Sequence, residues 1–150
     1  MGSDGRVEEV PNFPDLVWVP VQWGDQDAFG HVNNTVFLRW FEIGRISYVE
    51  RLGLSHNVSA QRLAPILAAV SCSFKRQVTY PDRIRVGTRV SRIGNSSLVM
   101  NHVIWSEQHG DNVAEGTSTV VHFDYGAGKS VPIPDEVRQK IAEIEAAAQP

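Results

Sequence analysis

The sequence predicts an α+β domain in which one long helix is wrapped by a curved antiparallel sheet of five or six strands. Three observations carry that reading. A Val- and Trp-rich stretch near the start lacks helical period. One long segment then repeats apolar residues at steps of three and four. Four stretches of strand composition follow, separated by turn signals. A helix with so broad an apolar face needs a large surface to cover it, and a strongly curved sheet supplies one.

Leu16 to Trp23 (LVWVPVQW) alternates loosely and reads as the first strand. Pro20 marks an edge position or a bulge there, because proline cannot donate to a ladder. From Thr35 to Leu52 no proline occurs, and Phe37, Phe41, Gly44, Tyr48 and Leu52 fall on one helical face. Arg39, Glu42 and Glu50 share the other. Asn33 or Asn34 suits the N-cap, since a short side-chain oxygen accepts an orphan backbone N–H, and Gly53 suits the stop. Gly44 inside the apolar stripe costs about 1 kcal/mol against Ala, which points to close approach of the helix backbone to the sheet. After Pro65 the helical period is gone. Ile66–Val78, Ile84–Ile93, Ser97–Glu107 and Asn112–Asp124 read as strands. The turns at Tyr80-Pro81-Asp82, Gly94-Asn95-Ser96 and His109-Gly110-Asp111 predict that each strand is the antiparallel neighbour of the next. A short helix over Asp135–Ala148 follows.

A length of 150 residues, 42% of them hydrophobic, suits one domain over 1–150 and excludes a disordered chain. Residues 1–14 are expected to form an extended N-terminal segment, and 134–150 to hold the short C-terminal helix. The net charge of −3 argues against an electrostatic binder of nucleic acid. With Cys72 alone, no intramolecular disulfide can form and a cysteine-based zinc site is not expected. Neither a metal nor a separate cofactor is anticipated. No secretory signal and no apolar run of bilayer length is visible, so a cytoplasmic protein without a membrane partner is expected.

Chemistry concentrates in Trp23-Gly24-Asp25-Gln26-Asp27-Ala28-Phe29-Gly30-His31-Val32-Asn33-Asn34, between the first strand and the long helix. First-turn N–H groups of a helix have no intrahelical partner and carry partial positive charge. A substrate carbonyl held there is polarised, and the oxyanion that develops on it is stabilised. A carboxylate just upstream is placed to attack the carbonyl carbon or to activate water. Gly30 lets the backbone come close to a ligand. The same Asp and Asn residues also serve as caps and turn formers, and local physics alone leaves both readings open.

The stretch D-x-D-x-x-G-H-V-N-N, running into F-L-R-W-F-E-x-x-R, resembles the signature of hotdog-fold thioesterases of the 4-hydroxybenzoyl-CoA thioesterase type. Phe74, Asp82-x-Ile84-x-Val86 and Gly94-Asn95-Ser96-Ser97 extend the similarity over roughly Val17 to Phe123. The resemblance implies hydrolysis of acyl-CoA or acyl-carrier-protein thioesters by a homodimer or homotetramer with sites between subunits. It implies Asp27 as the catalytic carboxylate, with Gly30, His31, Asn33 and Asn34 at the turn and helix start, and the Asn34 N–H on the thioester carbonyl. Asp25 is then structural, satisfying turn amides.

Other readings compete. Related hotdog hydratases carry D-x-N-P-x-H and work with such an Asp/His pair. Counted from Asp27, Phe29 and Gly30 stand where Asn and Pro would be, and His31 falls one residue short of the motif's histidine, so a hydratase using Asp27 and His31 is the second reading. A non-catalytic acyl-thioester-binding module on the same fold is the third reading. Glu42, at i,i+3 from Arg39 and Arg45, reads as an ion-paired surface residue. Between 75 and 92, six basic residues face one acid, a net +5 that suits a phosphate-bearing ligand such as coenzyme A. Lys75, Arg76, Arg92, Asn95, Ser96 and Ser97 are the proposed contacts, the last four because the resembling family holds the nucleotide near this hairpin. His102, His109 and His122 are expected to be surface or satisfied core residues. Trp18, Trp23, Trp40 and Trp105 are expected in the core, and Cys72 as an inert buried thiol.

Overall fold

A computed structural model describes residues 13–53 and 63–148. Strand β1 (Asp15–Pro20) leads through a 3₁₀ turn (Trp23–Asp25) and a tight loop into helix α1 (Asn34–Arg51). Strands β2 (Leu63–Phe74), β3 (Arg83–Ile93), β4 (Ser97–Ser106) and β5 (Asp111–Asp124) follow, then the two-residue β6 (Lys129–Ser130) and helix α2 (Asp135–Ala147). All pairings are antiparallel. The order across the sheet is β1-β3-β4-β5-β2, with β6 against the end of β5. The fold is α+β, a curved sheet around α1, as the order of elements predicts.

The helix stripe read from the sequence is the core. Phe37, Trp40 and Phe41 pack with Ile84, Val86, Ile104 and Ala114 of the sheet. Two turns further along, Tyr48, Val49 and Leu52 meet Met100, Val120 and the α2 residues Ile141 and Ile144. Each large apolar side chain taken from water contributes about 1.5–3 kcal/mol. Gly44 lies where α1 touches the sheet: a Cβ there would collide with Thr88 Oγ1 and lie 2.9 Å from Val86 Cγ1. Beneath it runs a buried polar link. Thr88 Oγ1 is 3.0 Å from His102 Nδ1, and His102 Nε2 is 2.8 Å from Ser118 Oγ, which accepts from Arg45 at 3.0 Å. His102 stacks on Phe41 with ring centres 4.7 Å apart. Burial, and after it the charge of Arg45, lowers its pKa to about 3. It is the satisfied core histidine expected.

Helix α2 is anchored by Glu145. One carboxylate oxygen accepts the Tyr48 hydroxyl at 2.5 Å and the Val90 N–H at 2.9 Å.

Three expectations are corrected. Strand β2 does not pair with β3; it joins β5 at the opposite edge from β1. The segment 75–82 between them is a crossing held from the side, by Val32 N–H on Val78 O at 2.8 Å, rather than a tight turn. Strand β1 ends at Pro20, and Trp23 stands 72% exposed in the 3₁₀ turn, outside the core. Pro20 does sit on an edge strand, where its missing N–H costs no ladder bond. Strand β6, two residues long, has no sequence signal of its own. Cys72 is half-buried, and burial pushes its thiol up to about 11, away from the reactive thiolate.

Candidate active site

The loop between β1 and α1 is folded by its own polar groups. Asp25 Oδ2 accepts the Gln22 N–H at 2.8 Å and so closes the 3₁₀ turn, a structural part. Gln26 and Val32 then face each other in an isolated antiparallel bridge. Between them, Asp27 N–H donates to His31 O at 2.9 Å and Gly30 N–H returns to Asp27 O at 3.0 Å. Gly30 turns the corner at φ +82°, in the region where a Cβ brings strain. Asp27 is the first residue of this turn, with Ala28 and Phe29 at its tip. Asp27 Oδ1 accepts the Phe29 N–H at 2.9 Å, and Oδ2 has no partner among the described residues.

Asn33 is the N-cap of α1. Its Oδ1 accepts both the N–H and the hydroxyl of Thr35 at 2.8 Å, and its carbonyl accepts Val36 N–H at 2.9 Å. Capping therefore occupies the second and third N–H groups of the helix and leaves the Asn34 N–H without a partner among the described residues. That is the orphan donor on which the sequence argument turned.

A cavity of about 320 Å³ opens at this helix end. Asp27, His31 and Asn34 line it together with Phe37 of α1 and with Phe74, Lys75 and Arg76 at the end of β2. The structure thus brings five of the sequence-selected residues into one cavity, while Gly30 and Asn33 are not in its lining and act on the loop turn and the helix cap. Lys75 pairs with Glu115 at 3.3 Å and Arg76 with Asp111 at 3.6 Å, both on exposed side chains. Phe29 also lines the cavity although it is 85% exposed, a position that sequence reasoning passed over. A large apolar residue in a polar turn was the available signal.

Arg92, Asn95, Ser96 and Ser97 lie elsewhere. They sit at the β3–β4 hairpin, roughly 30 Å along the sheet from the Arg83 end of β3 at about 3.3 Å per residue. Arg138 of α2 holds the Gly94 and Asn95 carbonyls there at 2.7 and 2.8 Å. Within one protomer they do not share the Asp27 cavity. Glu42 is exposed on α1 and lines, with Arg45 and Ile46, a separate groove of about 240 Å³ against the start of β2. No group of three or more possible metal ligands occurs among the described residues. No described helix is long and apolar enough to cross a membrane.

A long helix wrapped by a single antiparallel sheet is the hotdog arrangement, and here a loop carboxylate and the helix N-terminus line one cavity. Comparison with known proteins agrees. Residues 21–141 match the family model of the thioesterase-like superfamily. The chain is 30% identical over 124 residues to the protein YsmA of Bacillus subtilis, covering 82% of each. It is 23% identical over 118 residues to the long-chain acyl-CoA thioesterase FadM of Escherichia coli, covering 79% of this chain and 89% of that one. A Thermus thermophilus thioesterase solved with coenzyme A and Zn matches with a TM-score of 0.78 at 31% identity, over 93% of this chain and 98% of that one. The chain belongs to the thioesterase-like superfamily, and its class of activity is thioester hydrolysis.

Proposed function

We propose that the protein hydrolyses an acyl thioester of coenzyme A, or of an acyl carrier protein, to a free acid and a thiol. The single observation that carries this reading is the pairing of two unsatisfied groups on one cavity, Asp27 Oδ2 and the Asn34 N–H. The thioester carbonyl oxygen accepts from Asn34 at the positive end of the α1 dipole, so negative charge developing on that oxygen is stabilised. In one route Asp27 takes a proton from a water that attacks the carbonyl carbon, the C–S bond breaks and the leaving thiolate takes up that proton. In the other Asp27 attacks the carbon itself and the C–S bond breaks. A water then hydrolyses the acyl–Asp27 anhydride, restoring the carboxylate, releasing the acid and supplying the proton that the thiolate takes up. His31 is a polar contact to the reacting group. Asn33 and Gly30 hold the loop and helix end in register.

Lys75 and Arg76 receive substrate phosphates at the cavity mouth. Their present partners are exposed carboxylates, and exposed ion pairs are weak enough to exchange. The active form is a homo-oligomer. Strand β2 is a twelve-residue edge strand with Ile66, Leu67 and Val70 each more than a third exposed, the kind of edge that a second copy covers. The chain acts as one domain, without metal, in the cytoplasm.

The test is thiol release across short, long and aromatic acyl-CoA thioesters. Hydrolysis of at least one class supports the reading. Water addition to an enoyl-CoA without thiol release would make the protein a hydratase, and binding without turnover of any thioester would make it an acyl-thioester-binding module.

A further inference from the structure

The apolar part of the Asp27 cavity is small. Phe29 stands 85% exposed at the turn tip, which leaves Val32, Phe37 and Phe74 as the apolar residues that can receive an acyl tail. Phe37 follows Asn34 by three residues, so its ring lies on the same face of α1, one turn beyond the orphan N–H. In the lining, Phe37 is the furthest residue along α1 and Phe74 the earliest residue of β2. Their rings meet edge to face with centres 5.2 Å apart, and the buried Phe37 also packs on Trp40 at 5.0 Å. Leu38 and Cys72, the next residues past this pair on either side, do not line the cavity.

Apolar surface continues beyond the two rings. Phe74, Cys72 and Val70 pair with Ala114, Gly116 and Ser118 of β5. Alternate residues of a strand share a face, so Cys72 and Val70 extend the side of β2 on which Phe74 stands. On the helix, Leu38 lies four residues from Asn34 and four from Glu42, on the face that joins them. This seam between α1 and β2 leads to the groove of about 240 Å³, where Ile46 and Val49 of α1 share the lining with Ile66 and Leu67 of β2. From Phe74 to Leu67 it runs roughly 20 Å at about 3.3 Å per residue.

An apolar cavity of about 150 Å³ takes one benzene ring, or about 25 Å³ per carbon. At that ratio the cavity of about 320 Å³ holds about a dozen non-hydrogen atoms. The thioester group and the methylene on its sulfur take about four of them, which leaves about eight carbons for the tail. Resting on the thioesterase reading, we infer that Phe74 sets the chain length of the substrate: its ring bars the tail from the seam, and an acyl chain gains nothing from length beyond about eight carbons. The tail leaves the carbonyl at Asn34, runs onto Phe37 and stops against Phe74. A longer chain has to turn out into water, where its further methylenes bury no surface. Phe74 is 43% exposed, so its ring can be cut back without emptying the core.

The test is kcat/KM over the saturated acyl-CoA series from butanoyl to dodecanoyl. In the wild type each added methylene should raise it by at most about fourfold, the gain from burying one methylene fully, and the rise should stop near octanoyl. Dodecanoyl-CoA should then exceed octanoyl-CoA by less than about threefold. Phe74→Ala removes a ring of six carbons and opens the seam, so dodecanoyl-CoA should exceed octanoyl-CoA by at least about tenfold. Phe74→Leu, which keeps an apolar contact for Phe37, should fall between the two. A wild-type ratio of about threefold or more overturns the inference and needs no variant to fold. So does a ratio unchanged from wild type in folded Phe74→Ala or Phe74→Leu. If no thioester is hydrolysed at all, the underlying reading fails instead, and calorimetric titration with the same acyl-CoAs still decides the cavity. Affinity that levels off near octanoyl in the wild type, and later in Phe74→Ala, upholds it. Affinity still climbing at dodecanoyl in the wild type, or no heat with any chain, removes it.

Discussion

Asn33 separates the two jobs of the α1 N-terminus, holding the helix and polarising a carbonyl. Its Oδ1 takes two bonds of 2.8 Å from Thr35. Asn33→Ala removes this cap, a loss of about 0.5–2 kcal/mol of stability, and it frees the first turn, so turnover falls too. Asn33→Asp keeps an equally good cap and places an anion at the positive end of the helix dipole, so stability should stay within about 0.5 kcal/mol of wild type. It also sets a full negative charge near the oxygen bound at Asn34. At a separation of about 6 Å and an effective dielectric of about 20, two unit charges repel by about 2.8 kcal/mol. The oxyanion bears only part of a charge in the transition state and residue 33 is half-exposed, so about half of that applies, near 1.4 kcal/mol, or a tenfold fall in kcat. Urea unfolding gives the stability and thiol release gives kcat on the same sample. Asn33→Asp turning over at the wild-type rate would refute the placement of the developing charge at this helix end.

Three further outcomes follow from the packing. Gly44→Ala forces a methyl group onto Thr88 and Val86; overpacking of about 1–3 kcal/mol outweighs the helix propensity gained, and denaturant melts should show a net loss. Glu145→Ala strands the buried Tyr48 hydroxyl and the Val90 N–H, at about 2–4 kcal/mol for the two, whereas Tyr48→Phe costs about 1 kcal/mol and leaves Val90 bonded. His102, held near 3 in the fold against 6.5 when free, takes up its proton first in the unfolded chain. Its contribution is fully present above pH 6.5 and is lost as pH falls toward 3, by about 1.4 kcal/mol per pH unit. His102→Gln should flatten that slope between pH 6.5 and 4.5; an unchanged slope would mean that the histidine is solvated.

The helix and the loop that leads into it were legible because their signals are local. Phe37, Phe41, Gly44 and Tyr48 declare a face by spacing alone, and Asn33 caps within two residues of itself. Asp27, His31 and Asn34 share a cavity because seven consecutive residues fold back through one bridge. What failed depends on distance. Pairing of β2 with β5 joins residues 40 to 61 positions apart, from Phe74↔Ala114 to Leu63↔Asp124, with no trace in the turn composition at 80–82. Trp23 reads as core by residue type, yet Asp25 curls the chain there into a 3₁₀ turn and leaves the indole outside.

The central claim is most directly tested by Asp27→Asn. The amide keeps an oxygen that can accept from the Phe29 N–H, so the loop and the melting behaviour should persist. Thiol release from the best acyl-CoA substrate should fall by about 10²–10⁴-fold, the range that a positioned acid–base group supplies. A folded Asp27→Asn protein that still releases thiol at the wild-type rate would contradict the account.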